Sequence, residues 1–250
     1  MDQLIDSHCH LHQPWFDDLS NVIKNAKQNN VTKIINCASD PQHYSQVIES
    51  SKYDEIFVTI GLQPTLAEQY SNSKIIENTI IQSDKIVGVG EVGLDYYWVT
   101  DPKIRELQKR LFIDCIGLAN ELELPIITHT RKAESDSLDL LEKHAEVPVL
   151  LHSFDGNLKE VKRAMDLGYI ISVPTIVTRR KNRRKTAIRA GLDNIILESD
   201  SPFCTTSEDI KLNEPKYILD AAKYLSKLFE IDLKEISNIT TFNSTKFHKI

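Results

Sequence analysis

The sequence predicts an α/β protein, a (β/α)8 TIM barrel with an extra C-terminal helix, built as a single domain over residues 1–250. Three observations lead there. Short aliphatic or β-branched runs alternate with helical periodicity eight times along the chain. Those runs read as strands buried on both faces, which means a parallel sheet flanked by helices. The length suits one closed barrel, a fold that commonly takes about 250 residues. An open doubly wound sheet is the runner-up, but its glycine-rich phosphate fingerprint is missing from the first turn.

The first strand is Gln3-Leu4-Ile5-Asp6-Ser7-His8-Cys9-His10, followed by a helix from Asp17 to Asn29 with Leu19, Val22, Ile23 and Ala26 on one side. Val31 to Cys37 is the second strand, and Asp40-Pro41 starts a helix whose apolar face is Tyr44, Val47 and Ile48. Ile56 to Ile60 ends in Gly61-Leu62-Gln63-Pro64, and a weaker helix covers Ser73 to Gln82. The fourth strand runs from Ile86 to Glu91. Asp101-Pro102 then caps the longest helix, with Ile104, Leu107, Leu111, Leu118 and Leu122 on one side. Pro125 to His129 precedes a helix from Ser135 to Ala145, and Val147 to His152 precedes a helix started by Asn157 and Glu160 as a capping box. Tyr169 to Val173 precedes a basic helix, and Asn194 to Asp200 precedes a helix from Pro215 to Phe229. A last helix begins near Leu233, with Asp232 and Glu235 spaced as a second capping box.

Composition narrows the class. The N-terminus lacks a basic region followed by an apolar stretch, and no apolar run approaches the ~20 residues of a spanning helix, so the expectation is a soluble, cytoplasmic protein without a membrane partner. The four cysteines have no C-x-x-C spacing and do not suggest a disulfide framework. A net charge of −6 argues against broad capture of nucleic acid. Arg179 to Lys185 departs from that balance with six basic residues in seven, which suits either a local phosphate contact or a solvated helix start.

Chemistry concentrates at strand ends. His8 and His10 are two apart on a strand, so both point to one face and can close on one ion. Glu91, His129, His152 and Asp200 each follow an apolar run. In a barrel these ends open onto one face, where barrel active sites lie, so the fold gathers six metal-competent side chains. Any one of them alone could simply hydrogen-bond a loop; their repetition at equivalent positions is the signal. Cys9 should point away from that face, His12 reads as a loop or supporting residue, and His43, His144 and His248 fall in helical segments and receive no role. Mixed imidazole and carboxylate donors suit Zn, Mn, Fe or Co and tolerate Mg. Six are too many for one tetrahedral zinc and suit two divalent metal ions. Glu91 is the natural bridge, and Asp200 the natural acceptor of the attacking water's proton.

The motifs Asp6-Ser7-His8-Cys9-His10-Leu11, Gly90-Glu91-Val92-Gly93-Leu94-Asp95-Tyr96-Tyr97, Ile127-Thr128-His129-Thr130-Arg131, His152-Ser153-Phe154-Asp155-Gly156 and Leu197-Glu198-Ser199-Asp200-Ser201-Pro202 resemble those of the TatD family of metal-dependent nucleases. Asn213-Glu214-Pro215 and Phe242 to Phe247 continue the likeness. The resemblance implies that His8, His10 and Asp200 hold one ion, His129 and His152 the other, and Glu91 bridges them. It implies hydrolysis of DNA, single-stranded or at 3′ ends, with Mg2+ or Mn2+ and as a 3′→5′ exonuclease; Zn2+ also suits the donor set. Arg131 would lie near a substrate phosphate. Two positions depart from the pattern: Gln63 replaces the histidine of a Gly-x-His-Pro loop, and His12 stands where an acidic residue is usual. Gln63 can donate a hydrogen bond to substrate but cannot carry charge. That change keeps open an alternative on the same metal core, an ester or amide hydrolase such as a D-aminoacyl-tRNA deacylase, with RNA or tRNA as partner. A non-catalytic nucleic-acid-binding barrel with a structural metal is the third reading.

Overall fold

Short apolar strands that must bury both faces have one economical solution here, a ring of parallel strands wrapped by helices. A computed structural model describes residues 3–250 of the chain. Its strands are β1 (Leu4–Cys9), β2 (Val31–Ala38), β3 (Ile56–Ile60), β4 (Ile86–Asp95), β5 (Ile126–Arg131), β6 (Val149–His152), β7 (Ile170–Pro174) and β8 (Ile195–Glu198). They form one eight-stranded sheet in sequence order, each pair parallel. The helices between them are α1 (Leu19–Gln28), α2 (Tyr44–Ser50), α3 (Lys74–Ile80), α4 (Pro102–Glu121), α5 (Glu134–His144), α6 (Leu158–Asp166), α7 (Lys181–Ala190) and α8 (Ile218–Phe229). A further helix, α9 (Leu233–His248), follows. The expected (β/α)8 barrel with a C-terminal helix is therefore the fold. Among the described residues, no helix is long and apolar enough to cross a membrane.

The seam between β1 and β8 is joined by specific hydrogen bonds. Asp200 N–H donates to the His8 carbonyl at 3.0 Å, and His10 N–H to the Ser201 carbonyl at 2.7 Å. Beneath them Ser199 N–H donates to Asp6 Oδ1 at 2.8 Å. These bonds fix the ends of the first and last strands against each other. Burial, opposed by the Ser199 hydrogen bonds, pushes the Asp6 carboxyl up to about 7.

α9 closes the opposite end. Thr241 Oγ1 donates to the Gln3 carbonyl, and Asn243 Nδ2 to the carbonyls of Leu192 and Ile195, all at the starts of β1 and β8. Phe247 packs with Ile127, Leu150 and Ile196, the second residues of their strands, in an apolar cluster separate from the main core. The N-terminal mouth is thereby filled, and only the C-terminal end of the barrel is free to form a site.

Three expectations need correction. β4 runs on to Asp95, so Glu91 lies within the strand rather than at its end. A register shift against β5 between Val89 and Val92 absorbs the extra length, and Gly90 and Gly93, both at positive φ, let the two backbones approach. Asp232 occupies the α9 N-cap but makes no side-chain cap bond, so the second capping box is absent, whereas the Asn157–Glu160 box is complete. In α4, Leu107 is exposed and Gln108 buried, because the Gln108 amide brackets the Asp95 backbone, accepting from its N–H at 3.1 Å and donating to its carbonyl at 3.3 Å.

Replacing Asp6 tests the seam. Asp6→Ala strands the buried Ser199 N–H and is expected to cost about 1–3 kcal/mol, read as a lowered urea midpoint. Asp6→Asn keeps an acceptor oxygen. The raised folded pKa means the native state holds the Asp6 proton more tightly than the unfolded chain. This contribution is therefore full below about pH 4 and declines as pH rises toward about 7. Asp6→Asn should flatten that part of the pH–stability curve.

Candidate metal centre

Alternation along β1 turns His8 and the residue just past the strand, His10, to the same side. Their Nε2 atoms face each other at 3.2 Å. The His10 Nδ1 is held by the Cys37 carbonyl at 3.2 Å, which turns Nε2 inward. His8 is fully buried, and its Nδ1 has no hydrogen-bond partner. From β6, His152 donates Nδ1–H to Glu198 Oε2 at 2.8 Å and stacks its ring 3.9 Å from that of His8. His129 on β5 bonds Glu91 Oε1 through Nδ1 at 2.6 Å and Asp95 Oδ2 through Nε2 at 2.9 Å.

Glu91 is the hub of these contacts. Its Oε2 lies 3.8 Å from His8 Nε2 and 3.6 Å from His10 Nε2, while Oε1 lies 2.6 Å from His129 Nδ1 and 3.8 Å from His152 Nε2. One carboxylate oxygen thus faces one histidine pair and the other faces the second pair. Asp200 approaches from the end of β8, its Oδ1 3.9 Å from His10 Nε2 and 3.8 Å from His152 Nε2. Gly61 makes room for the Glu91 backbone: a Cβ at that position would lie 2.4 Å from the Glu91 carbonyl oxygen.

The donors fit divalent cations. Ligand atoms of His8, His10, Cys37 and Glu91 lie within 4.8 Å of one another, as do those of His8, His152 and Asp200. His129 stands outside both groupings, with each ring nitrogen engaged by a carboxylate. Burial, reinforced for His8 by the other histidines, holds His8 below the usual imidazole range. Burial likewise lowers His10, against the pull of Glu91, so both favour the neutral, ligating form. Burial also opposes charge on His129 and His152, yet Glu91 and Asp95 push the first up to about 9. Glu198 and Asp200 push the second up to about 10. Burial works against the Glu91 carboxylate too, but the surrounding imidazoles, His129 foremost, hold it well below the usual range. Asp200 is raised to about 6, chiefly by burial.

Sequence reasoning missed Asp95 and Glu198, which orient His129 and His152. The sequence marks them only by nearness to other site residues: Asp95 lies four residues beyond Glu91 on one strand, and Glu198 two before Asp200. Cys37 was also missed as a neighbour of His8, His10 and Glu91. Its thiol is buried, raised by that burial, and donates to the Gly90 carbonyl at 3.3 Å. Cys9 is buried away from the site and donates to the Ile35 carbonyl, as the strand alternation implies.

Above the centre opens a cavity of about 880 Å³. Gln63, half-buried, and Arg131, exposed, both line it. His12 and His43 also line it, their rings stacked at 3.9 Å, so His43 belongs to the site margin although its helical setting suggested no role. Of the basic run only Arg183 reaches the cavity. Arg179 is spent on the Thr205 carbonyl and Glu208, and Arg184 on the carbonyls of Val177 and Thr178.

A family model described as TatD related DNase matches residues 5–249. The uncharacterized metal-dependent hydrolase YabD of Bacillus subtilis is 31% identical over 255 residues, covering 99% of both chains. The human deoxyribonuclease TATDN3 is 31% identical over 260 residues, covering 97% of this chain and 93% of its own. The crystal structure of YJJV, a TatD homologue from Escherichia coli K12, superposes with a TM-score of 0.91 at 26% identity, covering 100% of this chain and 99% of that one. Matched in sequence and in architecture from end to end, the chain belongs to the TatD family and is a metal-dependent hydrolase acting on ester bonds.

Proposed function

We propose that the protein is a single-domain deoxyribonuclease that hydrolyses DNA phosphodiester bonds from the 3′ end, using two divalent ions, Mg2+ or Mn2+, in the cell cytoplasm. The observation that carries this reading is the Glu91 carboxylate, whose two oxygens address two separate histidine pairs. His8 and His10 would hold one ion with Asp200, and His129 and His152 the other, with Glu91 between them. Ions held there polarise a phosphate oxygen and make water acidic enough to serve as a nucleophile near neutral pH.

The chain's own groups do the rest. Asp200, whose Oδ1 lies 3.9 Å from His10 Nε2 and 3.8 Å from His152 Nε2, is the carboxylate placed to accept the proton of the attacking water. Arg131, at the end of β5, is placed to meet a substrate phosphate, and Gln63, after β3, lines the same cavity as an uncharged donor. The human relative named as a deoxyribonuclease supports the substrate class. Gln63 also sustains a second reading on the same core. An ester substrate such as a D-aminoacyl-tRNA asks less of a cation at that position than a phosphodiester does.

On a 5′-labelled single-stranded DNA with Mg2+ or Mn2+, the wild type should give a ladder shortening from the 3′ end. Asp200→Asn should slow it about 10²–10⁴-fold. No cleavage by folded, metal-loaded wild type would discard DNA and shift the reading to ester substrates.

Two predictions concern the ions. At pH 7 His129 and His152 carry protons in the metal-free chain, and ligation needs them neutral, so metal binding should release protons and tighten as pH rises from 6 toward 9. Calorimetry in buffers of different ionisation enthalpy reads this directly, and zero release would remove these two histidines as ligands. Glu198→Gln loosens the hold on His152 and should weaken metal binding about 10–100-fold, measured by the same titration.

A further inference from the structure

Exposed aromatic rings are unevenly distributed over this molecule. Among the described residues Trp15 (46% exposed), Tyr97 (50%), Trp98 (66%) and Phe203 (53%) all line the cavity above the metal centre, and Phe242 on α9 is the one other aromatic residue so exposed. The exposed aliphatic residues Ile81, Leu107, Leu158 and Ile188 all lie elsewhere, and among the described residues no Leu, Ile, Val, Met or Ala lines the cavity. Its apolar surface is flat rings with almost no aliphatic surface between them. A lipid or apolar peptide site would be lined the other way round.

The rings form two pairs. Trp15 and Phe203 have centroids 6.0 Å apart at 70°, and Tyr97 and Trp98 4.9 Å apart at 84°. Trp15 follows β1 and Phe203 follows β8, while Tyr97 and Trp98 follow β4 beside β5. In a ring of eight strands taken in order, the β8–β1 seam and the β4–β5 junction are diametrically opposed. The pairs therefore stand on opposite sides of the metal centre.

Both pairs are tied to that centre. The N–H groups of Tyr97 and Trp98 donate to Asp95 Oδ1 at 2.9 and 2.8 Å, and the other oxygen of Asp95 holds His129. Phe203 N–H donates to the Asp200 carbonyl at 2.8 Å, and its ring lies 6.4 Å from that of His10. Arg131 places its guanidinium 4.0 Å from the Tyr97 ring centroid and 5.4 Å from that of Trp98, a cation held against the same platform.

We infer that these are two base-stacking clamps, which hold unpaired nucleotides of single-stranded DNA on either side of the scissile phosphate. Stacking on aromatic faces beside a cation is how single strands are gripped without reading sequence. Bases inside a duplex present no free face to such rings, so the clamps select unpaired strands. The assignment rests on the proposed phosphodiester reading of the site and adds to it the parts of the substrate other than phosphate.

The chain's two tryptophans fall one in each clamp, which supplies the test. In Asp200→Asn with Mg2+, Trp15→Phe leaves Trp98 as the single reporter and Trp98→Phe leaves Trp15. A short oligothymidylate should quench the fluorescence of each, and an abasic strand of equal length should quench neither. Trp15→Ala and Trp98→Ala should each weaken oligothymidylate binding about 5- to 150-fold, while the Phe variants keep most of it. Unfolding midpoints equal to the parent's will show that the exposed substitutions left the fold intact.

Equal binding of the abasic strand, or unchanged fluorescence at both sites, overturns the clamps. A response at one tryptophan alone overturns the two-sided arrangement. Wild-type cleavage assayed in parallel separates the failures: cleavage without quenching removes the clamps and leaves the nuclease. Quenching without cleavage keeps the clamps and removes the nuclease.

Discussion

A carboxylate buried at the centre of the barrel is the constraint that the site answers to. Glu91 is 6% exposed, and an uncompensated charge so placed would cost several kcal/mol. Imidazoles from β1, β5 and β6 surround it, but four histidines packed together cannot all be cationic. The conflict resolves by position. His8 and His10 have no carboxylate bonded to them alone and are lowered by burial, whereas His129 and His152 each have a carboxylate of their own, Asp95 and Glu198, and keep their protons. Four carboxyl groups thus face four imidazoles, of which two keep their protons. Protons on His129 and His152 stand where ligated cations would carry the charge instead.

The barrel delivers this cluster because every strand ends at one rim, and the seam is where that could fail. A sheet of eight strands becomes a site only if the first and last are fixed against each other, since His8 and His10 belong to one and Asp200 follows the other. The bonds from Asp200 N–H to the His8 carbonyl and from His10 N–H to the Ser201 carbonyl place metal-competent residues of opposite chain ends within one hydrogen-bond step. Folding and site assembly are in that respect one event.

The fold was legible because its signal repeats: eight apolar runs of similar length, each followed by a helical pattern, admit few arrangements. The metal-competent residues were legible for the same reason, each marking a strand end, and Glu91 was found although its strand runs four residues further. What escaped notice depends on pairing between strands. Asp95 and Glu198 matter through His129 and His152, which neither adjoins in sequence. His43 looked like a helical surface residue because nothing local announces that a short 3-10 helix at Pro41–His43 stacks it on His12. The basic run, open between a phosphate contact and a solvated helix start, divides between them: Arg183 lines the cavity, while Arg180, Lys181 and Lys185 are exposed. Charge in a sequence says nothing of backbone carbonyls that engage it, and Arg179 and Arg184 are held by such groups beside α7.

Core and margin obey different rules, and Gln63 shows the difference. Its backbone N–H is fixed to the Ser39 carbonyl at 2.8 Å, and its side chain stands at the cavity margin, half-buried, with none of the metal-competent carboxylates as a partner. Exchanging a residue there leaves the charge balance around Glu91 unaltered, because that balance is set by groups buried beneath it. Arg131, at the end of β5, and the aromatic pairs, on the segments after β1, β4 and β8, are likewise exposed at that margin. A change among the buried histidines or carboxylates disturbs every neighbour at low dielectric. A change at the margin meets solvent on one side and has fewer buried charges to disturb. The fold thus buries the metal-competent cluster, where each group's charge depends on its neighbours, and leaves Gln63, Arg131 and the aromatic pairs to line the cavity above it.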